Sequence, residues 1–301
     1  MSSLSTRLRD LLSLVKFSHS IFALPFALQG AWLAAGGLPE GKTLLWIVVC
    51  AVSARTAAMA FNRLVDRDID AANPRTAQRE IPRGALRPGA VRLLVLGSSG
   101  IFVAAAFQLG TLPGWLSLPV LVVLLGYSLV KRVSYLAHVA LGLALALAPL
   151  GAWVAVRGEI DGDLSAILLL ALAVWTWVAG FDLIYACQDA DFDAERGLHS
   201  IPARFGIAGA LRTSSVLHAI TVACLALVLW RGELGWIYGA AILAAAVLLV
   251  WQHGIVSAED LSRVDMAFFT LNGWVGIALF VGLVLDMALL GSGASAPGMV
   301  G

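Results

Sequence analysis

Apolar residues along the chain gather into runs of about twenty, the length an α-helix needs to cross a bilayer core, divided by shorter polar stretches. Nine runs can be marked, over roughly 18–36, 44–63, 91–109, 112–130, 136–156, 164–187, 208–230, 234–252 and 266–290. The pattern predicts an all-α integral membrane protein of nine transmembrane helices. One domain covers 1–291, and 292–301 reads as a short disordered tail. Two of the runs end unusually. Asn62, Asp66 and Asp70 follow one another at intervals of four, which stacks them on one face of a helix. Asp182, Tyr185, Asp189 and Asp193 fall at i, i+3, i+7 and i+11, again one face, while Asp68 and Asp191 point elsewhere.

Composition narrows the class further. Of 301 residues, 60% are hydrophobic and only 13% charged, and the mean hydropathy is +0.88, which excludes a soluble globular protein. A net charge of +1 points to no nucleic-acid partner, and nothing in the chain indicates a protein partner. Cys50, Cys187 and Cys224 lie in apolar runs without paired spacing, so a disulfide framework or zinc site is not expected. Arg7, Arg9 and Lys16 precede the first run as in a signal peptide. That run, however, contains His19, Pro25 and Gln29 and lacks a small-residue cleavage site, so it is expected to be retained.

The distribution of charge sets the expected orientation. With the N-terminus in the cytoplasm, sixteen of the twenty Lys and Arg residues fall on the cytoplasmic side; Lys42, Arg157 and Arg231 fall outside, and Arg55 lies inside a span. This is the positive-inside bias. It places the C-terminus outside and the two long polar segments, 64–90 and 188–207, in the cytoplasm. Those segments resemble each other: each opens on Asp-x-Asp-x-Asp and later carries Ile-Pro (Ile81-Pro82, Ile201-Pro202) followed by Arg and Gly. Two pseudo-repeated halves under a cytoplasmic loop cap are therefore expected.

Carboxylates four apart on two helices suit hard divalent cations, and Mg²⁺ is commonly shared between carboxylates and substrate phosphates. Asp66, Asp70, Asp189 and Asp193 are the candidate ligands, with Asn62 on the same face. The bland alternative, a solvated helix end, explains one such cluster better than two that match. Tyr127 and Lys131, four apart at the end of the fourth run, are candidates for phosphate contact, as are Arg67, Arg79 and Arg204; most arginines of 75–87 read as topogenic. Arg55 lies about 16 Å deeper than Asp66 at helical rise, where a lone charge requires a partner. Asp182, about 10 Å deeper than Asp189, is the natural one. The pair is either structural or a site for an anionic or phenolic substrate. A transporter is the rival class, but the acids sit at one membrane face rather than the midplane, and no broken inverted helices are evident.

With these residues in view, the chain resembles the UbiA superfamily of intramembrane prenyltransferases. Asn62-x-x-x-Asp66-x-x-x-Asp70 and Asp189-x-x-x-Asp193 are similar to its signature pair. Asn73-Pro74-Arg75-Thr76 with Arg79-Glu80-Ile81-Pro82 resembles its first loop, and Tyr127-Ser-Leu-Val-Lys131 its Tyr-x-x-x-Lys element. The segments from Lys16-Phe17-Ser18-His19 through Ala23-Leu24-Pro25-Phe26-Ala27 resemble the 4-hydroxybenzoate polyprenyltransferase branch. The resemblance implies a helix bundle around a central cavity open sideways to lipid. It also implies two Mg²⁺ ions that bind a polyprenyl diphosphate, and an aromatic acceptor beside it, either 4-hydroxybenzoate or 1,4-dihydroxy-6-naphthoate, in ubiquinone- or menaquinone-type quinone biosynthesis. A haem or chlorophyll prenylating enzyme is a further alternative within the superfamily. In that chemistry Asp182 or Tyr185 orients the phenol or helps to remove a proton.

Overall fold

A computed structural model describes residues 10–11, 13–14 and 24–292. The apolar runs form α1 (Leu24–Ala35), α2 (Gly41–Val65), α4 (Pro88–Gln108), α5 (Thr111–Val130), α6 (Ala137–Arg157), α7 (Ser165–Ala186), α9 (Ile201–Arg231), α10 (Trp236–Gly254) and α11 (Asn272–Leu290). Two one-and-a-half-turn helices, α3 (Arg67–Ala72) and α8 (Ala190–Glu195), follow α2 and α7. Among the described residues there is no strand, and eight helices are long and apolar enough to cross a membrane. α1 is described over 12 residues; the start of the expected first span, His19, the basic residues Arg7, Arg9 and Lys16, and the tail from 293 lie outside the described residues.

The exterior is apolar where lipid would meet it. Leu93 and Val122 are each 72% exposed, and Trp236 and Val250 73%, a distribution that water would punish and hydrocarbon does not. Helix association therefore rests on close packing and interhelical hydrogen bonds. α7 is the central element, buried along most of its length and packed chiefly on α6 and α9. Gly142 on α6 lets the helices approach, because a Cβ there would lie 2.4 Å from the Trp175 carbonyl oxygen; the Trp175 indole donates back to the Val139 carbonyl at 2.8 Å. Toward α9, Ser214 Oγ donates to the Gly180 carbonyl at 2.7 Å, and Thr176 and Thr221 hydroxyls meet at 2.8 Å. Trp177, fully buried, meets Phe26 at a tilt and Phe181 edge to face, and donates to Asn272 Oδ1 at 2.8 Å, joining α7 to the last helix.

Some buried polar groups serve only this scaffold. Asp286 accepts from the backbone N–H groups of Gly235 and Tyr238, which satisfies the first turn of α10, and the Tyr238 hydroxyl donates to Gln29 on α1.

The repeat expected from sequence appears as a shared break. α2 stops at Asp66 (φ −89°, ψ 2°) and α3 restarts at once; α7 passes through a 3₁₀ turn, Cys187–Asp189, breaks at Asp189 (φ −107°, ψ 7°) and restarts as α8. The continuous helical faces expected over 62–70 and 182–193 are thus each bent at an acidic residue.

Candidate active site

At the end of the bundle where both breaks occur, a polar cavity of about 300 Å³ opens between α2, α5, α6, α7 and the 73–87 segment. Asn62, Asp66, Asp70, Tyr127, Lys131, Asp182, Tyr185, Asp189 and Asp193 all belong to its wall, as do Arg55 and Arg79. The breaks are what bring the carboxylates in. Asp66 and Asp70, despite their charge, are buried (2% and 4% exposed), which is tolerable only because each has cationic partners.

Every partner is identifiable. Asp66 receives Lys131 Nζ at 2.6 Å, Arg132 Nη2 at 3.3 Å and the Asn62 amide at 3.2 Å. Asp70 Oδ1 accepts from Arg79 at 2.7 Å. Asp189 takes two guanidinium bonds from Arg75, one of 2.9 Å, and the Asn73 amide at 2.8 Å. Arg75 also donates to the Tyr185 hydroxyl at 2.9 Å and lies over that ring. Burial opposes the charge on Arg75, but its bonds to Asp189, and then Tyr185, outweigh burial and hold its proton above the ordinary range. Tyr185 packs on Phe268 and Phe269, presented by a π-helical turn, Met266–Leu271, whose carbonyls at Ala267 and Phe268 are satisfied by the Asn272 amide.

Among the described residues no three His, Cys, Asp or Glu side chains converge on one point; Asp66, Asp70 and Asp189 are each paired with cations. Three other sequence expectations are corrected here. Asp182 does not pair with Arg55; it binds His138 Nδ1 at 2.7 Å, because α6 packs against α7 at this level and puts the imidazole nearer. Arg67 lies outside the cavity wall, donating to the Leu64 carbonyl and Asp68, since it is one residue off the Asn62–Asp66 face. Arg204 also lies outside, its guanidinium stacked on Tyr135 and Phe205 just before the non-helical Gly206 (φ 74°). Arg75, one of the 75–87 arginines of which the sequence assigned one or two to a diphosphate and the rest to topology, lines the cavity, as do His138 and Asn73, and Arg132 reaches Asp66 from outside its wall. Asn73-Pro74-Arg75 carried a signal through the first-loop resemblance; His138 carried none.

Next to this cavity, deeper in the bundle, lies a second chamber of about 190 Å³ between α1, α2, α4, α5 and α6. Its wall is apolar and built largely from alanines, among them Ala51, Ala54, Ala106, Ala144 and Ala148. Arg55, Met59, Tyr127, Leu141 and Leu145 line both spaces, so the charged cavity continues into a greasy one.

The residues fit Mg²⁺ in one definite sense. All the candidate donors are hard oxygens, and Asp70 Oδ2 is buried with no partner, a vacancy in hydrogen bonding that a cation would fill. With few carboxylates per ion, phosphate oxygens would complete the coordination.

The UbiA prenyltransferase family matches residues 23–276. The chain belongs to that family. It is 34% identical over 259 residues to the 4-hydroxybenzoate octaprenyltransferase of Edwardsiella ictaluri, covering 85% of this chain and 88% of that one. It is 33% identical over 298 residues to the enzyme of the same name from Pseudomonas aeruginosa, covering 96% and 97%. Among solved structures, the apo UbiA homolog from Aeropyrum pernix K1 superposes with a TM-score of 0.82 at 36% identity, covering 90% of this chain and 98% of that one. A UbiA homolog from Archaeoglobus fulgidus bound to GPP and Mg²⁺ shares the fold, with a TM-score of 0.73 at 19% identity over 93% of this chain and all of that one. The protein is thus an integral membrane prenyltransferase of the UbiA family, and the polar cavity with its apolar annex is the candidate active site.

Proposed function

We propose that this prenyltransferase transfers a polyprenyl group from its diphosphate to a small aromatic acid of the 4-hydroxybenzoate type, in Mg²⁺-dependent quinone biosynthesis. One observation carries the reading. A charged cavity suited to a diphosphate opens directly into an apolar chamber suited to an isoprenoid chain, and Arg55 stands at the junction. The names of the relatives at 33–34% identity support the acceptor class.

Charge balance suggests how the site works. Five carboxylates (Asp66, Asp70, Asp182, Asp189, Asp193) and five basic side chains (Arg55, Arg63, Arg75, Arg79, Lys131) line the cavity. Neither a dication nor a diphosphate alone suits so balanced a wall. Together they do, because Arg75, Arg79 and Lys131 can turn from carboxylates to phosphate oxygens. Asp66, Asp70, Asp189 and Asp193 would then hold the Mg²⁺, which when bound neutralises charge on the departing diphosphate. Lys131 and the two arginines stabilise the same developing charge with fixed donors. The apolar chamber holds the first isoprene units and keeps water from the allylic cation. The excess of Lys and Arg at the ends carrying the two acidic motifs supports a cytoplasm-facing site in the inner membrane, N-terminus inside and C-terminus outside.

The deciding experiment is incubation of the purified protein with Mg²⁺, a labelled prenyl diphosphate and a panel including 4-hydroxybenzoate and 1,4-dihydroxy-6-naphthoate. A prenylated ring supports the reading; prenyl diphosphate left intact with every acceptor overturns it.

Two further outcomes are expected. Lys131→Ala should raise the KM for prenyl diphosphate roughly 10–100-fold, the value of a charge-assisted bond, with little effect on acceptor KM; a change confined to the acceptor would reassign Lys131 to the aromatic end. Ala51→Phe, which fills the apolar chamber, should lower kcat/KM about tenfold or more for long donors, an overpacking cost of 1–3 kcal/mol, and much less for dimethylallyl diphosphate. An equal loss at every donor length would place the tail elsewhere.

A further inference from the structure

Removing the ring proton requires a lone pair, and most of the cavity's candidates are engaged. Tyr185 accepts from Arg75; Asp189 is held by Arg75 and Asn73; Asp66 is held by Lys131, Arg132 and Asn62. Asp70 and Asp193 are proposed above to hold the metal. Asp182, the sequence's candidate base, is bound to His138. This leaves His138. It lies in the first turn of α6, in the cavity wall, with a side chain only 7% exposed. Its Nδ1 is 2.7 Å from Asp182 Oδ2, while its Nε2 is buried with no hydrogen-bond partner. An ionised carboxylate can only accept, so Nδ1 carries a proton, and in the neutral ring Nε2 is the atom that bears the lone pair. A buried imidazole nitrogen without a partner costs about 1–3 kcal/mol.

We infer that His138 is the general base of the prenyl transfer, with Asp182 as the positioning residue that fixes its tautomer and steadies the imidazolium. The inference rests on the proposed function. In the step itself, the bond between the prenyl C1 and the diphosphate oxygen breaks, and its electron pair leaves with the diphosphate. Ring π electrons form the new C–C bond to C1. His138 Nε2 takes the proton from the attacked ring carbon, and the C–H electron pair restores aromaticity. The imidazolium returns the proton to water as product leaves. The arrangement follows the logic of a carboxylate–imidazole pair, in which the acid orients the base without itself taking the proton.

The test uses the full-length protein in detergent, geranyl diphosphate, Mg²⁺, and whichever acceptor the unaltered protein prenylates, with and without deuterium at the attacked ring carbon. His138→Gln should lower kcat by roughly 10²–10⁴-fold, the range for a positioned base, with KM for geranyl diphosphate within about threefold. The isotope effect on kcat should rise from about one to above about two, because proton removal becomes limiting. Asp182→Asn should move both quantities in the same direction by about tenfold in kcat, and decides the matter if the glutamine variant does not accumulate in membranes. A kcat within threefold of normal, or a low kcat whose isotope effect stays near one, overturns the assignment. If the unaltered protein prenylates no ring, the proposed function fails first and the assignment falls with it; turnover without the isotope response refutes His138 alone.

Discussion

Asp66→Ala and Asp189→Ala each lower prenyl transfer by roughly 10³-fold or more, a loss of at least about 4 kcal/mol of transition-state stabilisation, while folded protein still accumulates in the membrane. This is the largest effect expected of any single change. Each carboxylate lies at a break between helices rather than in the packed interior of one, so few helix-packing contacts depend on it. Asp66 is almost fully buried, but its partners Lys131 and Arg132 are 30% and 39% exposed and can turn to water in the cavity when the carboxylate goes. Asp189 is 19% exposed itself, and its partner Arg75 28%. Asp66→Asn, which keeps the volume and a polar contact for Asn62, separates charge from packing: its activity should fall as far as that of the alanine variant. Near-normal turnover in the alanine variants at normal expression would remove the metal role from these residues.

Arg55→Lys raises the KM for the aromatic acid by about 10-fold or more, leaving prenyl-diphosphate affinity nearly unchanged. Arg55 stands where the polar and apolar chambers meet, beside Tyr127, and its Nε is buried with no partner. The sequence paired it with Asp182, and such a pair would have satisfied it within the protein. His138 binds Oδ2 of that carboxylate instead, so the buried Arg55 Nε is left for a ligand, and an acceptor carboxylate is a suitable one. Lysine keeps the positive charge but loses the planar fork that binds a carboxylate with two parallel bonds, and charge-assisted bonds of this kind are worth about 1.5–3 kcal/mol. Acceptor kinetics unaltered in Arg55→Lys would return this residue to a structural role. Loss of folded protein in the lysine variant would indicate the same, because a ligand-facing guanidinium has no packing duty that a lysine stem cannot meet.

The amino-acid sequence by itself determined the membrane class and the positions of the eight long spans among the described residues, because a bilayer demands a fixed length of apolar helix and leaves little freedom in its placement. It also grouped Asn62, Asp66 and Asp70, and likewise Asp182, Tyr185, Asp189 and Asp193, all of which line one cavity, since local spacing on a helix survives even where the helix bends. What a single helix cannot specify is which cation meets which acid. Arg75 reaches Asp189 across 114 positions and Lys131 reaches Asp66 across 65; such partners are chosen by how the helices pack and where the 73–87 segment folds back. The failed Arg55–Asp182 pair has the same origin. Depth along two helices was legible, but the rotation and proximity of a third, α6, brought His138 to Asp182 first. The apolar chamber was equally hidden, because its walls come from five helices and its residues read individually as ordinary lipid-compatible alanines and leucines. Local periodicity fixes the elements and their faces; only packing among elements decides the pairings, and it is the pairings that make this cavity a site.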